Sequence, residues 1–313
     1  MVLEGLIEEA SVVRLLAGEV LATSELCTAN VHSLGLERCA EGILLPAALE
    51  RLDQPRVLSM LTTTATKVWP RLAVVPMIES TNSSLLAAGD AAAGAVLTAE
   101  YQYGGRGRRG RTWVSPIGRN IAVSLGWRTV LDINELGGLS LVVGLALADV
   151  LQSQGVRKVR LKWPNDVLID MAKLAGVLIE VQPLAEGCLV VIGIGVNHNS
   201  AMLTRGSIEQ DVADVAEVAP TIGRNRLLAM LINGLADYVT QFERDGFGGM
   251  VDAWESLHAY QGCDLVLESG ANSIVGTVVG VTDRGELKLR TQQGVEIFNA
   301  GEVSLRRSHR DAL

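Results

Sequence analysis

The chain has 313 residues, 48% of them hydrophobic, so it can bury a large core and form two or three domains. Its formal net charge of −8 argues against a general attraction to nucleic acids or to membrane surfaces. Four scattered cysteines without a CxxC pair argue against a zinc site and a disulfide framework, and favour a reducing compartment. The acidic start is not typical of a signal peptide, and the longest apolar stretch, 137–148, is too short to cross a bilayer. We therefore expect a cytoplasmic protein that does not associate with membranes.

Residues 1–65 form the first of three regions with different sequence patterns. The region is rich in Leu, Ala and Glu, and the interruptions at Gly18, Gly35, Gly42 and Pro46 predict short helices. Residues 1–62 carry four basic and nine acidic side chains, a net charge of −5. We expect a small, acidic helical domain.

The second region, residues 66–260, mixes strands with helices, and the third, residues 261–313, has a different pattern. In the second region the predicted strands are 72–78, 95–103, 120–127, 159–163, 175–181 and 189–196, and the predicted helices are 82–88, 137–154, 224–242 and 250–260. Residues 263–305 alternate in short segments separated by Gly and Asp-Arg-Gly turns, which predicts a small barrel.

Segment 104–111, Gly-Gly-Arg-Gly-Arg-Arg-Gly-Arg, is the most distinctive motif. It contains the G-x-G-x-x-G pattern of dinucleotide-binding folds, but that pattern must open a helix. Here Thr-Trp-Val-Ser-Pro and then a strand follow, which excludes that interpretation. Glycines let a backbone approach a ligand, and guanidinium groups suit phosphate and carboxylate oxygens. Taken alone, the segment is also compatible with a solvated basic loop or a short nucleic-acid-binding patch.

Four further motifs place polar groups at the ends of apolar strands, where α/β folds usually build ligand sites. They are Glu-Ser-Thr-Asn at 79–82, Lys-Trp-Pro-Asn-Asp at 162–166, Lys-Leu-Ala-Gly at 173–176 and Gly-Ile-Gly-Val-Asn at 193–197. Each has an ordinary explanation when it is considered alone: a helix cap, a turn, a surface lysine and the end of a strand.

Together and in this order, the five motifs resemble biotin protein ligases, in particular the bifunctional ligase and biotin-operon-repressor type. The resemblance runs from about residue 72 to residue 306 and is densest between 76 and 197. It implies an α+β fold with a central mixed sheet, similar to class II aminoacyl-tRNA synthetases and lipoate ligases. It also implies a C-terminal SH3-like barrel, with domains at 1–65, 66–260 and 261–313.

The resemblance assigns the site residue by residue. Biotin contacts fall on Ser80, Thr81, Asn82, Gln102, Arg106, Gly107, Arg108, Lys173 and Gly176, and Trp113 is a candidate wall for the valeryl chain. Contacts to ATP and the adenylate fall on Arg109, Arg111, Asn165, Asp166 and Asn197. Lys173, Arg106 and Arg108 are the expected catalytic residues, and Mg²⁺ is the expected ion, with no ligands assigned to it.

The implied reaction joins biotin to AMP with ATP as co-substrate, then transfers biotin to a lysine of a biotin carboxyl carrier domain. A homodimer is compatible with the resemblance. A lipoate or octanoate ligase and a biotin-sensing repressor remain as alternatives.

One departure from the family pattern is the absence of tryptophan between 164 and 253, where the bifunctional type has one that covers the adenine. Met202 or Leu203 is the expected replacement.

The N-terminal region departs from the winged helix of bifunctional ligases. Its net charge of −5 opposes binding to DNA phosphates. Residues 19–42 are too few for a complete recognition helix and wing. We therefore expect a degenerate winged-helix-like domain that does not bind DNA, with Leu15, Leu16, Leu26 and Leu34 facing inward.

Overall fold

An α-helix and a β-hairpin form the N-terminal part of the chain. The computed structural model describes residues 7–25, 31–46, 49–204, 211–269, 272–299 and 303–307. Helix α1 (Glu9–Leu16) precedes strands β1 (Glu37–Cys39) and β2 (Gly42–Leu44), and Leu21 forms an isolated β-bridge with Ile43. The sequence did not predict this hairpin, because each of its strands has only three residues and lacks a clear alternation.

The N-terminal part packs directly on the next region of the chain. Leu15, Leu16 and Leu34 are buried, as predicted, in a cluster that also contains Tyr101 and Ile117. Leu26 lies outside the described residues. Helices α2 (Gln54–Leu58) and α3 (Thr63–Val68) follow, and each begins with a side-chain cap that accepts a backbone N–H bond.

A seven-stranded mixed sheet forms the centre of the fold. Its strands are β3 (Arg71–Ile78), β4 (Ala95–Gln102), β5 (Ile121–Thr129), β6 (Val159–Lys162), β7 (Asp166–Ile169), β8 (Ala172–Pro183) and β9 (Cys188–Val196). They lie in the order β3-β4-β5-β9-β8-β7-β6, with β3 and β4 parallel and the other neighbours antiparallel. Strand β7 was not predicted, because Asn165 and Asp166 read as a turn; β7 begins at Asp166 itself.

Helices cover the sheet and complete the main core. They are α4 (Thr81–Ala88), α5 (Leu139–Ser153), α6 (Ala201–Thr204), α7 (Val215–Val218), α8 (Arg224–Asp245) and α9 (Val251–Leu257). The almost wholly apolar α5 is buried between the sheet and α8, whereas α8 is amphipathic and exposes its polar face. Among the described helices, none combines the length and apolar character needed to cross a membrane.

The C-terminal part is a five-stranded antiparallel sheet, in agreement with the predicted small barrel. Its strands are β10 (Asp264–Ser269), β11 (Asn272–Val281), β12 (Leu287–Thr291), β13 (Gly294–Phe298) and β14 (Val303–Arg307), in the order β13-β12-β11-β10-β14. Two hydrogen bonds join this sheet to the central region of the chain: Trp163 Nε1 donates to the Gly285 carbonyl at 3.0 Å, and Glu255 accepts from the Val281 N–H at 2.7 Å.

Candidate active site

One cavity of about 820 Å³ lies over the central sheet, and it brings together every site residue predicted from the sequence. Its lining includes Ser80, Thr81, Asn82, Gln102, Arg106, Gly107, Arg108, Arg109, Arg111, Asn165, Asp166, Lys173, Gly176 and Asn197. The ligand that each of these residues contacts remains a prediction. The volume is in the range typical of small-molecule sites.

A chain of buried polar side chains forms one end of the cavity. Thr81 donates from its backbone N and from Oγ1 to Gln102 Oε1, at 2.8 and 2.9 Å. Ser124, on β5, lies 2.7 Å from Thr81 Oγ1 and also contacts Asn82 Oδ1. Ser80 caps α4 by accepting from the Ser83 N–H, so the cap predicted for 79–82 and the ligand site coexist. These groups are positioned before any ligand arrives.

Two glycines of β9 allow side chains to lie against the sheet. A Cβ on Gly195 would stand 2.4 Å from the Trp113 ring, and a Cβ on Gly193 would stand 2.2 Å from Asn82 Oδ1. Since real Cβ atoms do not approach so closely, only glycine lets Trp113 and Asn82 lie where they do. The alternating glycines of the 193–197 motif therefore shape the floor of the cavity.

The arginine loop, residues 104–111, lies over the same cavity. Arg106 pairs with Glu180 on β8 at 3.0 Å, and Arg108 lies 3.5 Å from Asn165 Oδ1. Burial lowers the pKa of the Arg108 guanidinium, and the positive charge of Arg109 lowers it further. In the described part of the chain, neither Arg109 nor Arg111 has a carboxylate within ion-pair distance. An anionic ligand would relieve this concentration of positive charge.

Lys173 lies at the centre of the cavity. Its Nζ is 2.6 Å from Asp166 Oδ1 and 5.8 Å from the centroid of the Trp113 ring. The Lys173 backbone pairs with the segment that contains Val212: its N–H donates to the Asp211 carbonyl at 2.8 Å. The pairing thus fixes the Lys173 backbone, and among the described residues the Asp166 carboxylate partly balances the charge of the ammonium group.

Asn165 and Asn197 connect the segments around Lys173. Asn165 Nδ2 donates to the Val177 carbonyl at 2.8 Å, and Asn197 Nδ2 donates to the Lys173 carbonyl at 3.1 Å. Both amides therefore stabilise the backbone of β8 at the cavity, whatever ligand contacts they add. Asn165 therefore has a structural role at the cavity in addition to the turn position that the sequence indicated.

Sequence reasoning missed several residues of the lining, including Ser124, Asp211, Val212 and Tyr260. Ser124 could have been recognised from the sequence, since it is a polar residue inside an apolar strand. Val212 could not, because only its pairing with Lys173 brings it to the cavity. Neither Met202 nor Leu203 lines the cavity, and Met202 is 72% exposed, so their role against the adenine stays a prediction. Val212 lines the cavity because its segment continues alongside β8.

The acidic side chains of the lining are Asp166 and Asp211. Across the described ranges, no group of three or more His, Cys, Asp or Glu side chains is arranged to hold a metal ion. Mg²⁺ is usually bound through one or two carboxylates together with substrate phosphates. The residues therefore fit an ion held mainly by a bound triphosphate, with no dedicated protein cage.

Family models place the central and C-terminal parts of the chain in one class of enzymes. Residues 74–197 match the Biotin/lipoate A/B protein ligase family, and residues 266–306 match the Biotin protein ligase C terminal domain. The first match contains every predicted site residue. The fold and the cavity thus define a ligase of the biotin and lipoate class.

Individual relatives narrow this class. The chain is 35% identical over 268 residues to the bifunctional ligase/repressor BirA of Escherichia coli, covering 85% of this chain and 82% of that protein. It is 34% identical over 244 residues to the biotin–[acetyl-CoA-carboxylase] ligase of Mycobacterium tuberculosis, covering 75% and 89%. A biotin protein ligase from Aquifex aeolicus in complex with biotin and ATP superimposes with a TM-score of 0.65 at 30% identity, covering 77% of this chain and 100% of that one. The chain belongs to the biotin protein ligase family.

Proposed function

We propose that the chain activates biotin with ATP to biotinoyl-5′-AMP and transfers biotin to a lysine of a biotin carboxyl carrier domain. One observation carries the proposal. A single cavity joins a slot of neutral polar groups, around Thr81 and Gln102, to a cluster of cations, around Lys173 and Arg108. Hydroxyls and amides suit the ureido ring of biotin, and cations suit its carboxylate and the phosphates of ATP.

In the first step the biotin carboxylate attacks the α-phosphorus of ATP, and pyrophosphate leaves. Two anions must come together, so charge neutralisation and alignment dominate the barrier. Lys173 supplies a compact positive charge between the segments that hold the two substrates. Arg108 and Arg106 bring further donors from the loop. Mg²⁺, bound to the triphosphate, would supply additional neutralisation of the phosphate charge.

In the second step the carrier lysine attacks the acyl carbon of the mixed anhydride, and AMP leaves. This step needs no nucleophile from the enzyme. The anhydride is labile in water, so the arginine loop must exclude solvent until the carrier docks. Arg109 and Arg111, with Asn165, Asp166 and Asn197, are proposed to contact the adenylate. Trp113 provides a wall for the valeryl chain of biotin.

Transfer of isotope-labelled biotin to a carrier domain, with and without ATP, tests the proposal. We expect label on the carrier only when ATP is present, with release of pyrophosphate and AMP. Lipoate and octanoate, offered at the same concentration, distinguish the related ligase activity on this scaffold. Adenylate formation with lipoate but not with biotin would contradict the proposal. The carrier domain of acetyl-CoA carboxylase is the first acceptor to test.

We further propose that the protein works in the cytoplasm and does not repress transcription. In the N-terminal part Arg14 contacts Glu19 at 2.8 Å and also Glu25, so its charge is balanced locally. The hairpin β1–β2 has the size of a short wing, but the net charge of −5 over residues 1–62 opposes binding to DNA phosphates. Tight, salt-sensitive binding of the adenylate-loaded protein to a biotin-gene operator would contradict this. Sedimentation with and without the adenylate tests the possible homodimer.

A further inference from the structure

Glu180, in the middle of β8, joins two parts of the predicted biotin site that come from distant segments. Its Oε1 and Oε2 accept from Arg106 Nη2 on the arginine loop, at 3.1 and 3.0 Å. Oε2 also accepts from Asn82 Nδ2 on α4, at 2.9 Å. Glu180 belongs to none of the five sequence motifs, and it lies beside the cavity lining rather than in it. One carboxylate therefore connects the loop to the helix.

The carboxylate determines how Asn82 is oriented. An ionised carboxylate can only accept hydrogen bonds, so Asn82 must turn its NH₂ group toward Glu180 and its carbonyl toward Ser124. Asn82 is 4% exposed and lies against Gly193, which leaves little room for another orientation. Ser124 in turn contacts Thr81. Glu180 thus ends a chain of polar contacts that runs along the floor of the cavity.

The same carboxylate holds Arg106 without using up its hydrogen-bonding capacity. Only Nη2 contacts Glu180, so the other N–H groups of the guanidinium can bind a ligand oxygen at the same time. The side chains of Arg106 and Glu180 are 44% and 25% exposed. Such a partly exposed ion pair adds little to folding stability. The main effect of this ion pair is therefore to fix the position of the Arg106 guanidinium.

We propose that Glu180 is a positioning residue for biotin: it holds Arg106 and Asn82 in the orientations in which they contact this substrate. Glu180 then sets the affinity for biotin and, through Arg106, has a smaller effect on the rate of adenylation. The inference rests on the proposed biotin ligase function. It adds to that function a residue that acts through two predicted contacts without touching the ligand itself.

The test is the Glu180→Gln variant of the full chain, which removes the charge and keeps the shape. We expect the KM for biotin to rise about tenfold, the effect of losing one charge-assisted hydrogen bond, with the KM for ATP nearly unchanged and kcat lowered by a smaller factor. Asp90→Asn is the matched control, since it removes the acid of an exposed pair with Arg128 at 3.2 Å. The control should keep the wild-type KM for biotin. Both variants should melt close to the wild type.

A double-mutant cycle checks that Glu180 acts through Arg106. If it does, Glu180→Gln has a smaller effect in the Arg106→Gln variant than in the wild type, because only the part that acts through Asn82 remains, whereas independent effects would multiply. A wild-type KM for biotin in active Glu180→Gln, or a multiplicative double mutant, overturns the inference. Should Glu180→Gln fail to fold, Glu180→Asp replaces it, because a shorter carboxylate cannot reach both partners; a wild-type KM there also overturns the inference. A wild-type protein that transfers no biotin contradicts the proposed function instead, so the two failures are distinguishable.

Discussion

At the scale of single residues, the cavity is defined by charges that only a bound ligand would balance fully. Among the described residues Lys173 pairs with Asp166 at 2.6 Å, while burial and Arg109 lower the pKa of the nearby Arg108. Holding these cations together costs free energy in the absence of a ligand. That cost is expected where a site is arranged in advance for two anionic substrates.

The first prediction concerns Lys173, which we place at the reacting carboxylate and phosphate. Lys173→Ala should slow adenylation by about 10²-fold or more, because a charge interaction made in the transition state is lost. Lys173→Arg should recover only part of the rate, since a planar fork does not replace a compact ammonium group. The measurement is biotin-dependent pyrophosphate release. A near-normal rate in the alanine variant would remove Lys173 from the mechanism.

The second prediction concerns retention of the intermediate by the arginine loop. Arg108→Gly removes a charged contact near Asn165 and adds backbone freedom, so biotinoyl-AMP should escape faster while its synthesis slows less. Escaped adenylate would label lysines of unrelated proteins, which an avidin blot of added albumin measures. Albumin labelling at the wild-type level, with adenylate still formed, would show that the loop does not retain the intermediate.

The third prediction concerns His258, which is 5% exposed, stacks on Trp254 with ring centroids 4.5 Å apart and lies against Tyr260. Burial lowers the pKa of His258 from 6.5 to about 4. The folded state therefore binds fewer protons than the unfolded state between these values. We therefore expect the contribution of His258 to the free energy of unfolding to be fully present above pH 6.5 and to fall by about 3 kcal/mol as the pH drops to about 4.

Replacement of His258 by phenylalanine tests this, because the ring remains and the titration disappears. The unfolding midpoint of the wild type in urea should fall more between pH 7.5 and pH 5 than that of His258→Phe. Other groups titrate equally in both proteins, so the difference between them isolates His258. If the unfolding midpoints of the two proteins shift equally with pH, a group other than His258 takes up the proton.

At the scale of elements, Arg119 ties the N-terminal part to the segment after β9. Its Nη2 donates to the Gly35 carbonyl at 3.2 Å, its Nη1 donates to the Asn199 carbonyl at 3.3 Å, and the Asn199 N–H donates back to the Arg119 carbonyl at 3.1 Å. Gly35 has φ +76°, and a Cβ there would stand 2.7 Å from Arg119 Nε. Asn199 is two residues beyond Asn197, which lines the cavity.

The fourth prediction follows from this contact. Arg119→Ala should raise the KM for ATP several-fold, on the order of the loss of two hydrogen bonds from a charged group, and leave the KM for biotin unchanged. The reason is that Asn197, two residues before Asn199, is predicted to contact the adenylate, whereas the slot around Thr81 and Gln102 lies on α4 and β4. Arg128→Ala, which removes an exposed ion pair, is the control. An equal rise in both KM values would indicate a general loss of structure.

At the scale of the whole molecule, residues 49–62 pack with the catalytic region. The Leu52 N–H donates to Glu100 Oε1 at 2.6 Å, and Arg224 Nη1 contacts Glu100 Oε2 at 2.7 Å. Arg224 also donates to the Glu50 carbonyl at 2.8 Å, so this segment completes the partners of a buried ion pair. A buried pair that loses partners is destabilising.

The fifth prediction compares two truncations. Deleting residues 1–48 keeps this network, whereas deleting residues 1–62 also removes Leu52 and Val57 from the main core. Both proteins should transfer biotin to the carrier, but the shorter one should lose several kcal/mol more stability, as expected for two buried aliphatic side chains. Thermal unfolding and carrier labelling measure the two effects. Equal melting temperatures would contradict the packing argument.

The sequence by itself predicted most of the strand and helix order and the small C-terminal barrel, and its resemblance to a family assigned many of the residues that meet in the cavity. The order of elements follows from local patterns: apolar runs, caps and short motifs in which polar groups end a strand. The prediction failed where an element is very short, as in the hairpin β1–β2, or where its first residue reads as a turn, as at Asp166 in β7. Such elements form because neighbouring strands supply their hydrogen bonds.

Only the tertiary structure decided which residues outside the motifs join the site. Val212 reaches the cavity through its pairing with Lys173, and Glu180 meets Arg106 and Asn82 because α4 and the loop lie over the same stretch of sheet. These contacts join residues 39, 74 and 98 positions apart along the chain. The register of the sheet, set by burial of its apolar face, brings them together. No local pattern contains that information, since neither Val212 nor Glu180 stands out in its own segment of the sequence.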